Sequence, residues 1–171
     1  MTPNNEKVGP FRSFLVISKI EILFFCVLVG FILVLSFFKL INLTAAFYVL
    51  FTIALSIHLF AFQKQASIYA ILMFISGLLF LSSGFLSVYR DTLSFPVKGF
   101  FYQISGGIFS TAGGLMVIAF SIAMVSIIRS NSPSSFKYRR YLMLMWFGFI
   151  FLGSIIAGTG IYSFVRGLQY L

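Results

Sequence analysis

A chain of 171 residues in which 60% are hydrophobic and only 9% charged, with a mean hydropathy of +1.07, cannot cover a water-soluble surface, since soluble domains carry about 25% charged residues. That composition excludes a soluble fold, and the apolar segments leave no length for a soluble catalytic domain. The net charge of +9, from 12 basic residues against three acids, does not point to nucleic acid, because the bases stand at the ends of apolar runs, where they anchor helices at anionic headgroups.

Residues 1–13 read as a polar N-terminal tail in which Pro3, Gly9 and Pro10 oppose a helix. The tail lacks the cleavage pattern of a signal or transit peptide, so it is expected to be retained. From 14 to 171 the sequence predicts one all-α domain. It is a polytopic membrane helical bundle of about five transmembrane helices, at 14–38, 43–62, 67–89, 102–128 and 141–164.

Lys19 and Glu21 interrupt the first turns of segment one and leave an apolar core from Ile22 to Phe38, roughly 25 Å long at ~1.5 Å per residue. Glu21 is the only carboxylate attached to a span, which makes it a candidate ion-coupling group. A helix start also accommodates a carboxylate through its dipole and nearby headgroup water, with no function implied. The single cysteine, Cys26, is expected to be a buried thiol.

Segment two holds Thr44, Thr52, Ser56 and the only histidine, His58. The Asn42-Leu43-Thr44 sequon lies too near the membrane for ready glycosylation. At helical spacing His58 shares a face with Ala54 and Ala61, small neighbours that leave room for a flat ligand or another helix. No cofactor is predicted, but a neutral imidazole is a good haem ligand, and one His58 from each of two copies would hold a haem between them. A histidine bonded to a neighbouring helix or a headgroup explains the same residue without any cofactor.

Segment three places Ala70, Gly77 and Gly84 seven residues apart, which keeps one face thin. Segment four carries Gly106, Ser110 and Gly114 as a small-residue stripe, with Gly107 and Thr111 beside it, and segment five carries Gly153, Ala157 and Gly160. Small residues four apart let helix backbones approach, the means by which helices associate in lipid. Segments three, four and five are therefore expected in mutual contact, with the Phe-rich segments one and two more exposed. Between segments four and five, the stretch from Arg129 to Arg140 reads as a polar loop around Pro133.

On the N-terminal side lie Lys7, Arg12, Lys19, Lys64, Arg129, Lys137, Arg139 and Arg140; on the other side lie Lys39, Arg90, Lys98 and Arg166. The richer side is expected to face the cytoplasm or its equivalent, with the C-terminus opposite.

Catalysis needs convergent His, Cys, Asp or Glu side chains, and this chain has one His, one Cys and three acids, well separated in sequence. No glycine-rich phosphate loop precedes a Lys-Ser or Lys-Thr pair. The expected function is therefore a non-catalytic integral membrane subunit or organiser of a larger assembly. Its partners are the lipid bilayer and other membrane protein subunits or further copies of itself, with no nucleic acid. A small oligomeric transporter or channel is the alternative, with Thr44, Thr52, Ser56 and His58 lining a polar path and Glu21 at its mouth. A haem-holding electron-transfer subunit built on His58 is the third.

Overall fold

A computed structural model describes residues 19–62, 67–94, 97–131 and 136–169; the tail and Phe14 to Ser18 lie outside them. Within those residues the chain forms five α-helices and no strand: α1 (Lys19–Phe37), α2 (Leu43–Phe62), α3 (Ser67–Asp91), α4 (Val97–Asn131) and α5 (Phe136–Leu168). Four of them, α2 to α5, contain windows long and apolar enough to cross a membrane, while the apolar part of α1, Glu21–Phe37, is shorter. In hydrocarbon every backbone N–H and C=O must find its partner internally, and a helix achieves this within one segment.

Several boundaries lie outside the expected spans, because the apolar run measures immersion in lipid and a helix need not stop where the hydrocarbon does. α4 begins at Val97 rather than Tyr102 and ends at Asn131, so its 35 residues extend about 50 Å at ~1.5 Å per residue. α5 begins at Phe136, so the backbone of 136–140 and of 129–131 is helical where the sequence reads as a loop. α3 likewise runs on through Arg90 and Asp91.

The turn between α1 and α2 has defined chemistry. Lys39 takes φ 54°, the Leu40 amide donates to the Leu35 carbonyl at 2.9 Å and the Lys39 amide to the Ser36 carbonyl at 3.0 Å. Together these form a Schellman end with lysine in the position that glycine usually fills. Asn42 then caps α2, its side-chain oxygen accepting from the Thr44 amide at 2.8 Å.

The helices pack as a row in chain order, each mainly against its sequence neighbours, with a small contact between α2 and α4. The α4–α5 interface is the most extensive and the α1–α2 interface the sparsest. The expected mutual contact of segments three, four and five does not form, because α3 and α5 occupy different faces of α4. The thin face of α3 meets α2 instead: a Cβ on Gly77 would lie 2.8 Å from Thr52 Oγ1, and one on Gly84 2.8 Å from the Ala45 Cβ. α2 is accordingly well buried, whereas α5 is an edge helix, with 11% of its apolar window buried. Of the described side chains of α1, Ile32 alone is buried, and Cys26 is exposed rather than buried because it lies on the outer face of this edge helix.

Two clusters fill the interior. At one end Leu59, Met73, Ala119 and Ala123 pack with Phe120 and Trp146; at the other, Val49, Phe80 and Ala112 pack with Tyr48 and Phe109. Hydroxyls tie the row together: Ser56 donates to the Ala70 carbonyl at 2.6 Å, Ser76 to Ala112 at 2.6 Å, and Ser83 to Ser105 at 2.8 Å. Each satisfies its own buried hydroxyl on a neighbouring helix, which is how polar side chains stabilise association in lipid.

Candidate functional site

The two residues singled out from the sequence on chemical grounds meet. His58 Nδ1 stands 2.9 Å from Glu21 Oε1, with the side chains 17% and 11% exposed. The tight turn explains why. α1 and α2 form an antiparallel hairpin about Lys39 and Leu40, and residues 21 and 58 each lie 18 positions from that pair. Residues equidistant from a hairpin's turn come level across it, so counting outward from Lys39-Leu40 would have joined these two residues from the sequence. Which group donates in this hydrogen bond is set by the tautomer of His58 and the ionisation of Glu21.

Ile22, Phe25, Leu28, Ala54 and Ile57 enclose the pair in an otherwise apolar cavity of about 220 Å³. Ala54 lies on the expected face with His58; the Ala61 side chain lies outside those described. A carboxylate on Nδ1 is an arrangement of the kind that orients metal-binding histidines. At that volume the cavity lies just below the ~300 Å³ typical of the smallest ligand pockets. Among the described residues no three His, Cys, Asp or Glu side chains converge as a metal site. The chain matches no known protein-family model, no curated protein and no solved structure.

Thr52 and Ser56, expected on a polar path to this pair, do not line its cavity. The Thr52 hydroxyl donates to the Tyr48 carbonyl at 2.7 Å and Ser56 reaches across to α3, so both are sealed in helix contacts. Thr44 stands at the far end of α2. The pair itself has a measurable expectation: a Glu21→Gln, His58→Gln double-mutant cycle in mixed micelles should give a coupling of about 1 kcal/mol. Hydrogen bonds to charged groups contribute about 1.5–3 kcal/mol, but polar contacts between membrane helices average ~0.6 and reach ~1.7. Strictly additive single mutants would show that the contact contributes nothing.

The small residues divide differently from the stripe read in the sequence. Gly107, Gly114, Gly153, Ala157 and Gly160 form the α4–α5 contact. A Cβ on Gly107 would stand 2.7 Å from the Phe164 amide nitrogen, one on Gly153 2.9 Å from the Gly114 carbonyl oxygen, and one on Gly114 would overlap the Ala157 amide. Gly106 takes no part in this contact, since a Cβ there would meet nothing within 4 Å. One position is a rotation of about 100° on a helix, so with Gly107 turned to α5, Gly106 points elsewhere.

Gly106 and Ser110 instead line a polar cleft of about 330 Å³ among α2, α3 and α4, at the opposite end of α2 from His58. Thr44, Ser83, Ser87 and Ser105 contribute hydroxyls, and Arg90 and Tyr102 stand at its rim. Sequence reasoning missed this site because its residues come from three helices and individually look like packing hydroxyls. The available signal was the concentration of serines near the facing ends of segments three and four, with Arg90 beside them.

Proposed function

We propose that this chain is a non-catalytic integral membrane subunit that helps to assemble a larger membrane complex. In this reading it crosses the bilayer five times, α1 included, with Lys19 and Glu21 at the interface. The N-terminus and the basic ends of α4 and α5 around 129–140 face the cytoplasm or its equivalent, following the excess of basic residues there. The open row of helices is the observation that carries the proposal. The described helices α1 and α5 each pack mainly on a single helix of the row, α1 sparsely and α5 extensively, and the outer side of α5 presents Gly148, Ser154 and Gly158 among large apolar side chains. Lipid satisfies those side chains, but notches at small residues let a further helix approach more closely than acyl chains do.

A second reading, a small transporter working as an oligomer, is favoured by the Glu21–His58 pair, because an acid and a histidine held together in an apolar cavity can pass a proton or receive a cation. Native purification of the tagged protein in mild detergent, with mass spectrometry and an absorbance spectrum of the same sample, separates the readings. Foreign subunits in fixed stoichiometry are the expected result. A homo-oligomer free of other proteins would overturn it and make ion-dependent flux in vesicles the next assay, whereas a Soret band lost on His58→Ala would establish haem binding.

A further inference from the structure

We infer that the polar cleft among α2, α3 and α4 is a binding site for a phosphate ester that carries an ammonium or hydroxyl donor, the chemistry of an ethanolamine or glycerol phospholipid headgroup. Three of its hydroxyls have already committed their protons to carbonyls of the helices: Ser83 to Ser105 at 2.8 Å, Ser87 to Gly84 at 2.9 Å, and Ser105 to Tyr102 at 3.3 Å. A hydroxyl that donates to backbone offers only lone pairs to a ligand. These three hydroxyls therefore favour a hydrogen-bond donor on the ligand.

The rim recognises the opposite character. Arg90 directs Nε and Nη2 to Asp91 Oδ1, both at 3.0 Å, and its guanidinium lies 5.2 Å from the Tyr102 ring centroid. Carboxylate and ring fix the plane of the guanidinium, whose other N–H groups remain as donors for a phosphate oxygen. Donor-seeking hydroxyls beside an oriented arginine match a molecule with an anionic group and a donor a few bonds apart.

Position in the fold makes a lipid the natural carrier of that chemistry. The apolar window of α3 ends at Asp91 and that of α2 begins at Leu43, so the cleft opens at the level of headgroups. Thr44 also lines a second cavity of about 520 Å³, otherwise mainly apolar, whose walls include Ile32, Leu33, Phe47 and Leu50. This groove between α1 and α2 gives an acyl chain a path down from the cleft. Gly106 forms the open wall of the cleft, with room in front of it that a larger side chain would fill.

The test uses the full-length protein, stripped of lipid in detergent and examined by native mass spectrometry with phosphatidylethanolamine, phosphatidylglycerol or phosphatidylcholine added singly, and with soluble phosphoethanolamine. Ethanolamine or glycerol lipid should be retained about tenfold better than choline lipid, whose headgroup has no donor. Gly106→Leu and Arg90→Gln should each reduce that retention at least about tenfold. Gly106→Leu should do so with an unchanged melting temperature of the lipid-free protein, which separates a filled cleft from a failed fold. Binding of soluble phosphoethanolamine, lost in both variants, would support the cleft's chemistry and assign it to a soluble ester rather than to a lipid. Equal retention of the choline lipid, or wild-type retention by both variants, would overturn the inference.

Discussion

Gly114→Leu should uncouple α4 from α5 and cost about 3 kcal/mol in equilibrium unfolding in mixed micelles. A Cβ at this position overlaps the Ala157 amide and the Gly153 carbonyl, which are backbone atoms that cannot rotate aside as a side-chain tip would. Overpacking typically costs about 1–3 kcal/mol, and the rigid wall places this site at the upper end. Leucine also has the better helix propensity, by roughly 0.8–1 kcal/mol, so the steric effect must overcome a gain of that size. The controls follow from the same reasoning. A Cβ on Gly106 or Gly158 meets nothing within 4 Å, and leucine at either should leave stability unchanged or slightly raised. A Gly114→Leu protein as stable as these controls would mean that the two helices do not meet at this register.

Phe80→Ala should be the second large effect, about 2–3 kcal/mol in the same assay. Phe80 is fully buried, stacks on Tyr48 with ring centroids 4.9 Å apart, and meets Phe109 edge-on at 4.9 Å. One side chain thus joins α2, α3 and α4. In water the loss of a buried phenylalanine costs about 3–5 kcal/mol, part of it transfer from solvent. Helices separated in lipid still keep their side chains in an apolar medium, so that part largely vanishes. What remains is the cavity, at ~24 cal/mol per Å³ over roughly 100 Å³ or about 2.4 kcal/mol, a figure that already contains the lost van der Waals contacts with the two rings. Phe85, which is 40% exposed, should tolerate alanine within about 0.5 kcal/mol. Equal effects at the two positions would remove the aromatic trio from its place at the centre of the packing.

The helical class and the five helical elements were legible in the sequence, because lipid imposes a length and a composition on anything that crosses it, although only four of the described helices contain windows long and apolar enough to cross. The α2 bounds coincide with those read from the apolar run, where polar links follow directly on both sides. The ends of α4 and α5 did not, since Lys98, Arg129 and the residues from Lys137 to Arg140 continue a helix into polar surroundings that tolerate helix and loop alike. Glu21 and His58 stood out as rare ionisable residues on apolar segments, and their meeting follows from hairpin symmetry. The serine-lined cleft did not stand out, because its chemistry exists only after three helices bring their hydroxyls together.

Composition and segment length by themselves determined a chain of apolar helices, the residues available for chemistry, and the small side chains that permit close approach. Only the tertiary structure decided which face each helix turns to which neighbour: Gly107 to α5 and Gly106 to the cleft, the thin face of α3 to α2, α5 at one edge of the row. In water the division between polar and apolar faces encodes that choice. Helices that are apolar on every side carry no such division, so orientation rests on the fit of shapes and on a few hydroxyls reaching carbonyls across helices, and these terms acquire values only when the helices are in contact.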